Sequence, residues 1–119
     1  MTSLVTGTGL VGAAYAAEAL SEGDDVAFYD LRPDQEYLQV KLGGRAYSAV
    51  QGDLRDLPAL IEAMHTHQPE VVVHTAGLIG SSVSNPVYTG LQINIQGTVN
   101  VLEAARLSGV RRFVHVSTF

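Results

Sequence analysis

The 119-residue chain contains no cysteine. It therefore has neither a disulfide frame nor a thiolate metal site, and a cytoplasmic setting is expected. Basic residues are few. Seven Lys and Arg stand against twelve Asp and Glu, for a net charge of −5, and they form no run. Binding to a nucleic-acid backbone needs clustered cations, so no nucleic-acid partner is expected. No apolar stretch approaches the roughly 18 residues that span a bilayer, so no membrane partner is expected. The first residues lack the basic region and cleavage signal of a secretory leader. Repeats, low-complexity tracts and linkers are also missing. With 46% apolar and 16% charged residues, the chain has the balance of a globular protein. One domain over residues 1–119 is expected.

What is there is organised around residues 2–14: an apolar strand, the turn Thr6-Gly7-Thr8-Gly9-Leu10-Val11-Gly12, and an Ala-rich helix. A G-x-G-x-x-G pattern between a strand and a helix points to a dinucleotide site. Gly7 lets the chain turn off the strand, Gly9 lets a pyrophosphate approach the backbone, and Gly12 lets helix and strand pack closely. The first amides of the helix, from Leu10 and Val11 onward, would then face the phosphates.

The rest of the chain alternates strand and helix. Leu10, Val11, Ala14, Ala17 and Leu20 mark an apolar stripe on the first helix, and Gly23 ends it. Val26–Tyr29 is a second strand closed by Asp30. A short helix over Asp34–Leu42, a strand over Ala46–Gln51 and a helix over Leu57–His67 follow. Val71-Val72-Val73-His74 reads as a central parallel strand buried on both faces. A Gly- and Ser-rich loop over residues 77–84 leads to Asn85-Pro86, a cap with proline at the first helical position. One helix is expected from Val87 to Ser108 with Val99, Leu102 and Ala105 on one face, then a strand over Arg112–Ser117. This pattern predicts an α/β fold, a doubly wound parallel sheet of Rossmann type in the order 3-2-1-4-5, stopping before a sixth strand. A bare fifth strand and an apolar helix face predict a homo-oligomer.

Asp30 lies 18 residues beyond Gly12 at the end of the second strand, close to the roughly 20 expected of the acid that binds the adenosine ribose. A carboxylate there favours NAD over NADP, although Arg32 nearby could meet a 2′-phosphate. Asp53 and Leu54 follow the third strand. They are candidates for the adenine amino group and ring face, with Asp53 equally suited to be a helix cap. Ala76 and Gly77 are small enough for a cofactor to cross the fourth strand's end, and Gly80, Ser81 and Ser82 could meet substrate. His74 is read as a packed strand histidine. His65 and His67 lack further metal ligands and are read as surface residues, so no metal is expected. Ser117 and Thr118 put hydroxyls at the same edge, where one could polarise a substrate oxygen.

These motifs, in this order, resemble the N-terminal portion of an extended short-chain dehydrogenase/reductase of the NAD-dependent epimerase/dehydratase group. The run Asn94-Ile95-Gln96-Gly97-Thr98-Val99-Asn100 and the stretch from Gly109 to Thr118 complete the likeness. The phrase His74-Thr75-Ala76-Gly77 is also similar to the 3β-hydroxysteroid dehydrogenase branch and does not choose between branches. The resemblance implies hydride chemistry with NAD on an alcohol or sugar-nucleotide substrate. It assigns Thr118, with Ser117 beside it, to the catalytic Ser/Thr position, and Asn94 to the Asn that shapes the site. The turn is one residue shorter than the family's G-x-x-G-x-x-G. The family's Tyr-x-x-x-Lys helix has no counterpart in place: Tyr15, Tyr29, Tyr37, Tyr47 and Tyr88 all fall too early. Tyr37 and Lys41 have the spacing but follow the second strand. Residues 1–119 alone are therefore expected to bind a dinucleotide without turnover, and a binding module without catalysis is the alternative.

Overall fold

The computed structural model describes residues 1–79, 83 and 86–117. Five strands, β1 (Thr2–Thr6), β2 (Asp25–Asp30), β3 (Ser48–Gln51), β4 (Val71–His74) and β5 (Arg112–His115), form one sheet. All pair in parallel, in the order β3-β2-β1-β4-β5, as the alternation of elements predicts. Thr6 at the end of β1 is level with Tyr29 on one side and His74 on the other. The segments that leave the strands therefore gather along one rim, where open α/β sheets bind ligands.

Side chains alternate across the sheet and build two cores. Leu4, Tyr29 and Val72 face the first core, with Leu60 and Met64 of α3 (Leu57–His67) above them. Val5, Phe28, Val71 and Val73 face the second, under Ala13, Ala16 and Ala19 of α1 (Leu10–Ser21) and Leu38 of α2 (Gln35–Lys41). Each fully buried aliphatic side chain contributes about 1.5–3 kcal/mol. β4 is buried along its whole length, and its run of valines suits a strand covered on both faces.

Of the apolar stripe expected on α1, Ala17 and Leu20 pack half-buried against the second core, whereas Leu10, Val11 and Ala14 face outward. Leu10 and Val11 are 78% and 54% exposed, and the helix packs through Gly12, Ala13, Ala16 and Ala19. The correction has a steric cause: a Cβ at Gly12 would strike the Gly7 carbonyl oxygen, so this helix lies too close to β1 for large side chains.

The long helix after β4 is also not continuous. It comprises α4 (Val87–Leu91), a π-helical turn over Gln92–Gln96, and α5 (Gly97–Leu107). A π turn holds more residues than an α turn and so rotates everything after it. The inner face of α5 is therefore Gly97, Asn100, Val101, Ala104 and Ala105. The face expected to carry Val99, Leu102 and Ala105 together is divided: Val99 and Leu102 are 51% and 46% exposed, while Ala105 is buried. β3 is two residues shorter than expected at its start, and β5 ends at His115, although Val116 N still donates to His74 O at 3.0 Å. Asn85, expected as a cap, lies outside the described residues. Among the described residues, no helix is long and apolar enough to cross a membrane.

Candidate dinucleotide site

Three glycines shape the turn after β1, for different reasons. Gly7 has φ +93°, which favours glycine, and a Cβ there would lie 2.7 Å from Thr75 Oγ1. Gly12 is required by the close approach of α1. Gly9 is required by neither. It has φ −80°, it is exposed, and a Cβ there would meet nothing within 4 Å. Among the described residues it is the only glycine with both an ordinary φ and open space around it. The room it leaves is room for something outside the chain. α1 starts at Gly9 with no side-chain cap and no acid in its first turn. The amides of Leu10, Val11 and Gly12 precede the first intrahelical bond, from Ala13 N to Gly9 O. Such a helix start attracts an anion.

Asp30 stands directly beside this turn. Its Oδ2 accepts from Thr8 N at 2.7 Å and from Thr8 Oγ1 at 2.8 Å, and its Oδ1 accepts from Arg32 N at 3.0 Å. Thr8 Oγ1 in turn accepts from Asp34 N at 3.1 Å. Thr8, which sequence reasoning passed over, therefore ties the shortened turn to the carboxylate on the next strand. Its signal was a hydroxyl residue between two glycines.

A crevice of about 420 Å³ opens between Asp30, Arg32, Asp53, Leu54, Ala76 and Gly77. Leu78 and Ile93 also line it, and neither stood out in the sequence. Asp53 is not a helix cap, contrary to one of its expected roles: Asp56 caps α3 through Ala59 N. The Asp53 carboxylate accepts from Arg55 N, Nε and Nη2, at 2.7 Å from Nη2, and this pairing holds its pKa below the usual carboxylate value. Beneath it Tyr29 donates its hydroxyl to Asp53 O at 2.8 Å. Burial, with Asp56 and Asp53 nearby, raises the Tyr29 pKa to about 12, so the phenol stays a donor. Leu54 is 8% exposed and packs against Gly97, so it gives the crevice only an edge.

A second hollow of about 290 Å³ shares Ala76, Gly77 and Leu78 with the first and reaches Asn94, His115 and Ser117. Asn94 sits in the π turn and grips the loop residue Leu78 at both its backbone groups: its Oδ1 accepts from Leu78 N at 2.8 Å and its Nδ2 donates to Leu78 O at 2.9 Å. Thr118 and Gly80–Ser82, also singled out, lie outside the described residues. Tyr37 and Lys41 are on α2, with Tyr37 packed against the second core rather than lining the crevice. His65 and His67 are at the end of α3, and among the described residues no three His, Asp or Glu groups converge.

The profile of the NAD dependent epimerase/dehydratase family matches residues 3–119. The chain belongs to that family. A UDP-glucose 4-epimerase of Klebsiella pneumoniae is 33% identical over 125 residues, covering 99% of this chain and 89% of that protein. One from Erwinia amylovora is also 33% identical, but this chain spans only 37% of its length. Among solved structures, the UDP-glucose-4-epimerase of Stenotrophomonas maltophila with bound NAD and formylated UDP-arabinopyranose superposes with a TM-score of 0.87 at 29% identity. It is covered over 37% of its chain, and this chain over 99%. The Thermus thermophilus UDP-glucose 4-epimerase in complex with NAD gives 0.84 at 29% identity, with 99% of this chain and 38% of that one covered. The order of strands and the extent of the match agree with the family as an NAD-dependent, Rossmann-like fold.

Proposed function

We propose that residues 1–119 form the NAD-binding domain of an epimerase, dehydratase or dehydrogenase acting on an alcohol or sugar nucleotide. The observation that carries this reading is Gly9. Among the described residues no neighbour requires a glycine there, and it stands at an uncapped helix start with none of them within 4 Å of a Cβ placed on it. Thr8 beside it reaches Asp30, with Thr8 N and Asp30 Oδ2 2.7 Å apart. In this reading Gly7, Gly9, Leu10, Val11 and Gly12 seat the pyrophosphate. Asp30 accepts from the ribose hydroxyls and repels a 2′-phosphate, which favours NAD over NADP. Asp53 and Leu54 border the adenine, and Ala76, Gly77 and Asn94 bound the nicotinamide half. Ser117 and Thr118 polarise the substrate oxygen. When bound, NAD supplies a hydride acceptor. The relatives named above are UDP-glucose 4-epimerases, which supports a UDP-sugar as the small-molecule substrate of the whole enzyme.

Titration of the chain with NAD tests the reading. Saturable binding is expected, with NADP weaker, and Gly9→Ala is expected to weaken NAD at least about tenfold, the loss that a steric overlap of ~1.4 kcal/mol produces. No binding by the folded chain refutes it. A second reading, a binding module without catalysis, is favoured by the position of Tyr37 and Lys41 on α2, away from the crevice. Tight NAD binding without turnover by residues 1–119 is expected of both readings; a Tyr-x-x-x-Lys segment in the whole protein favours the enzyme, and turnover by these residues alone excludes the binding module. A cytoplasmic setting and a homo-oligomer complete the proposal.

A further inference from the structure

His74 ends β4 and is 1% exposed, yet both its ring nitrogens have partners. Nδ1 lies 2.7 Å from Thr6 Oγ1 and Nε2 lies 3.0 Å from Thr98 Oγ1. The hydroxyl protons decide which nitrogen carries hydrogen. Thr98 Oγ1 donates its one proton to Asn94 O at 2.7 Å, and a carbonyl can only accept. Thr98 therefore accepts from His74, and the proton is on Nε2. The neutral ring then accepts at Nδ1, from the Thr6 hydroxyl. Thr6 Oγ1 completes the set by accepting from Thr75 N at 3.1 Å and Ala76 N at 3.2 Å. Thr75 N is shared between Thr6 Oγ1 and Thr6 O, 3.1 Å from each, and each hydroxyl and ring proton has an acceptor. A doubly protonated ring would leave the Thr6 hydroxyl facing three donors with no acceptor of its own.

This chain of bonds connects parts of the rim that are far apart in sequence. Thr6 directly precedes the glycine turn. Thr75 and Ala76 begin the wall that divides the two hollows, and Thr75 Oγ1 also donates to Thr6 O at 2.5 Å. Asn94, at the far end, holds Leu78 at both its amide and its carbonyl. The ring thus links the strand before the turn to the π segment, and through Asn94 to the opposite end of the same wall.

We propose that His74 is a positioning residue for the dinucleotide: as the neutral Nε2–H tautomer it locks the Thr75–Leu78 wall between the glycine turn and the π segment. This rests on the NAD-binding reading. The groups facing the ring are few. β1 offers the Thr6 hydroxyl, α5 the Thr98 hydroxyl, and β5 the rings of Phe113 and His115, with His115 stacked at a centroid distance of 5.5 Å. Among the described residues no carboxylate acts on it. Burial first, then the charge of His115, lowers the His74 pKa to about 4 and keeps the ring neutral.

The ring nitrogens of the ¹⁵N-labelled whole chain, recorded at about pH 5.5, test the assignment directly. A pyrrole-type Nε2 and a pyridine-type Nδ1 are expected for His74. The opposite tautomer, or a cationic ring, overturns the proposal. NAD affinity provides the second arm. Thr98→Val removes the acceptor of the Nε2 proton and is expected to weaken NAD about three- to tenfold, the range of one hydrogen bond. His74→Leu is expected to weaken it further. His74→Gln, which can still donate to Thr98, is expected to restore much of the loss, whereas His74→Asn, too short to reach it, is not. A folded Thr98→Val or His74→Leu chain that binds NAD within about twofold of the unsubstituted one overturns the positioning role. If the unsubstituted chain itself fails to bind NAD, the cofactor reading fails instead, and the nitrogen signals still judge the tautomer.

Discussion

Asp30 and His74 show how one side chain acquires a role from its neighbours. Asp30 already accepts from Thr8 and Arg32, so its carboxylate is oriented before any ligand arrives. Replacing it by Ala should weaken NAD by at least about tenfold while narrowing the preference over NADP, because a charged acceptor is worth about 1.5–3 kcal/mol and its charge also repels a 2′-phosphate. Paired NAD and NADP titrations check this. For His74 the sign of the pH effect follows from its lowered pKa of about 4 against 6.5 unfolded. The folded state binds the proton less well, so its stabilising contribution is complete above pH 6.5 and is lost as pH falls through about 4. The loss amounts to about 3 kcal/mol. Denaturant midpoints measured between neutral pH and pH 4 should fall steeply in the unsubstituted chain and less in His74→Gln.

At the scale of elements, close approach decides most of what the fold does near the site. Gly12 permits α1 to lie against β1, and a Cβ there collides with the backbone oxygen of Gly7, which cannot move aside cheaply. Gly12→Ala should therefore destabilise the chain by about 1–3 kcal/mol. Gly9→Ala, in open space, should shift stability by no more than about 1 kcal/mol. Chemical denaturation of the two variants separates a glycine that the fold needs from one that a ligand needs. Asp56 is the cap of α3, accepting from Ala59 N at 3.1 Å, and Asp56→Ala should cost about 1 kcal/mol with NAD affinity unchanged. The π turn belongs to this scale as well. It directs Asn94 toward Leu78 and turns Val99 and Leu102 outward.

For the molecule as a whole, the outward turn leaves apolar surface. Tyr88, Leu91, Ile95, Val99 and Leu102 are 71%, 51%, 60%, 51% and 46% exposed along successive turns of one helical stretch. β5 is largely exposed at the sheet edge beside β4. Exposed apolar surface and an open strand edge both favour association. Light scattering is expected to give a mass above that of one chain. A Val99→Lys, Leu102→Lys chain should shift toward monomer, and a monomer at all concentrations would remove this expectation.

Much was legible along the chain because its cause is local. Strand and helix alternate with clear breaks, and β1, α3 and β4 begin and end where the valine runs, the proline and the glycines indicate. Their parallel order follows from connection length. The glycine turn and Asp30 were legible because backbone geometry and charge are written in residue type and spacing. Tertiary structure decided the rest. Which face of α1 is buried depended on its distance from β1, and the face of α5 depended on a π turn that periodicity alone does not reveal. Asp53 lost its helix cap to Asp56, and Thr8 gained Asp30 across 22 residues of sequence. His74 looked like a packed histidine, and it is one. Only the proton count across β1, β4 and α5 shows what its packing holds in place, because hydrogen-bond partners are chosen in space and not along the chain.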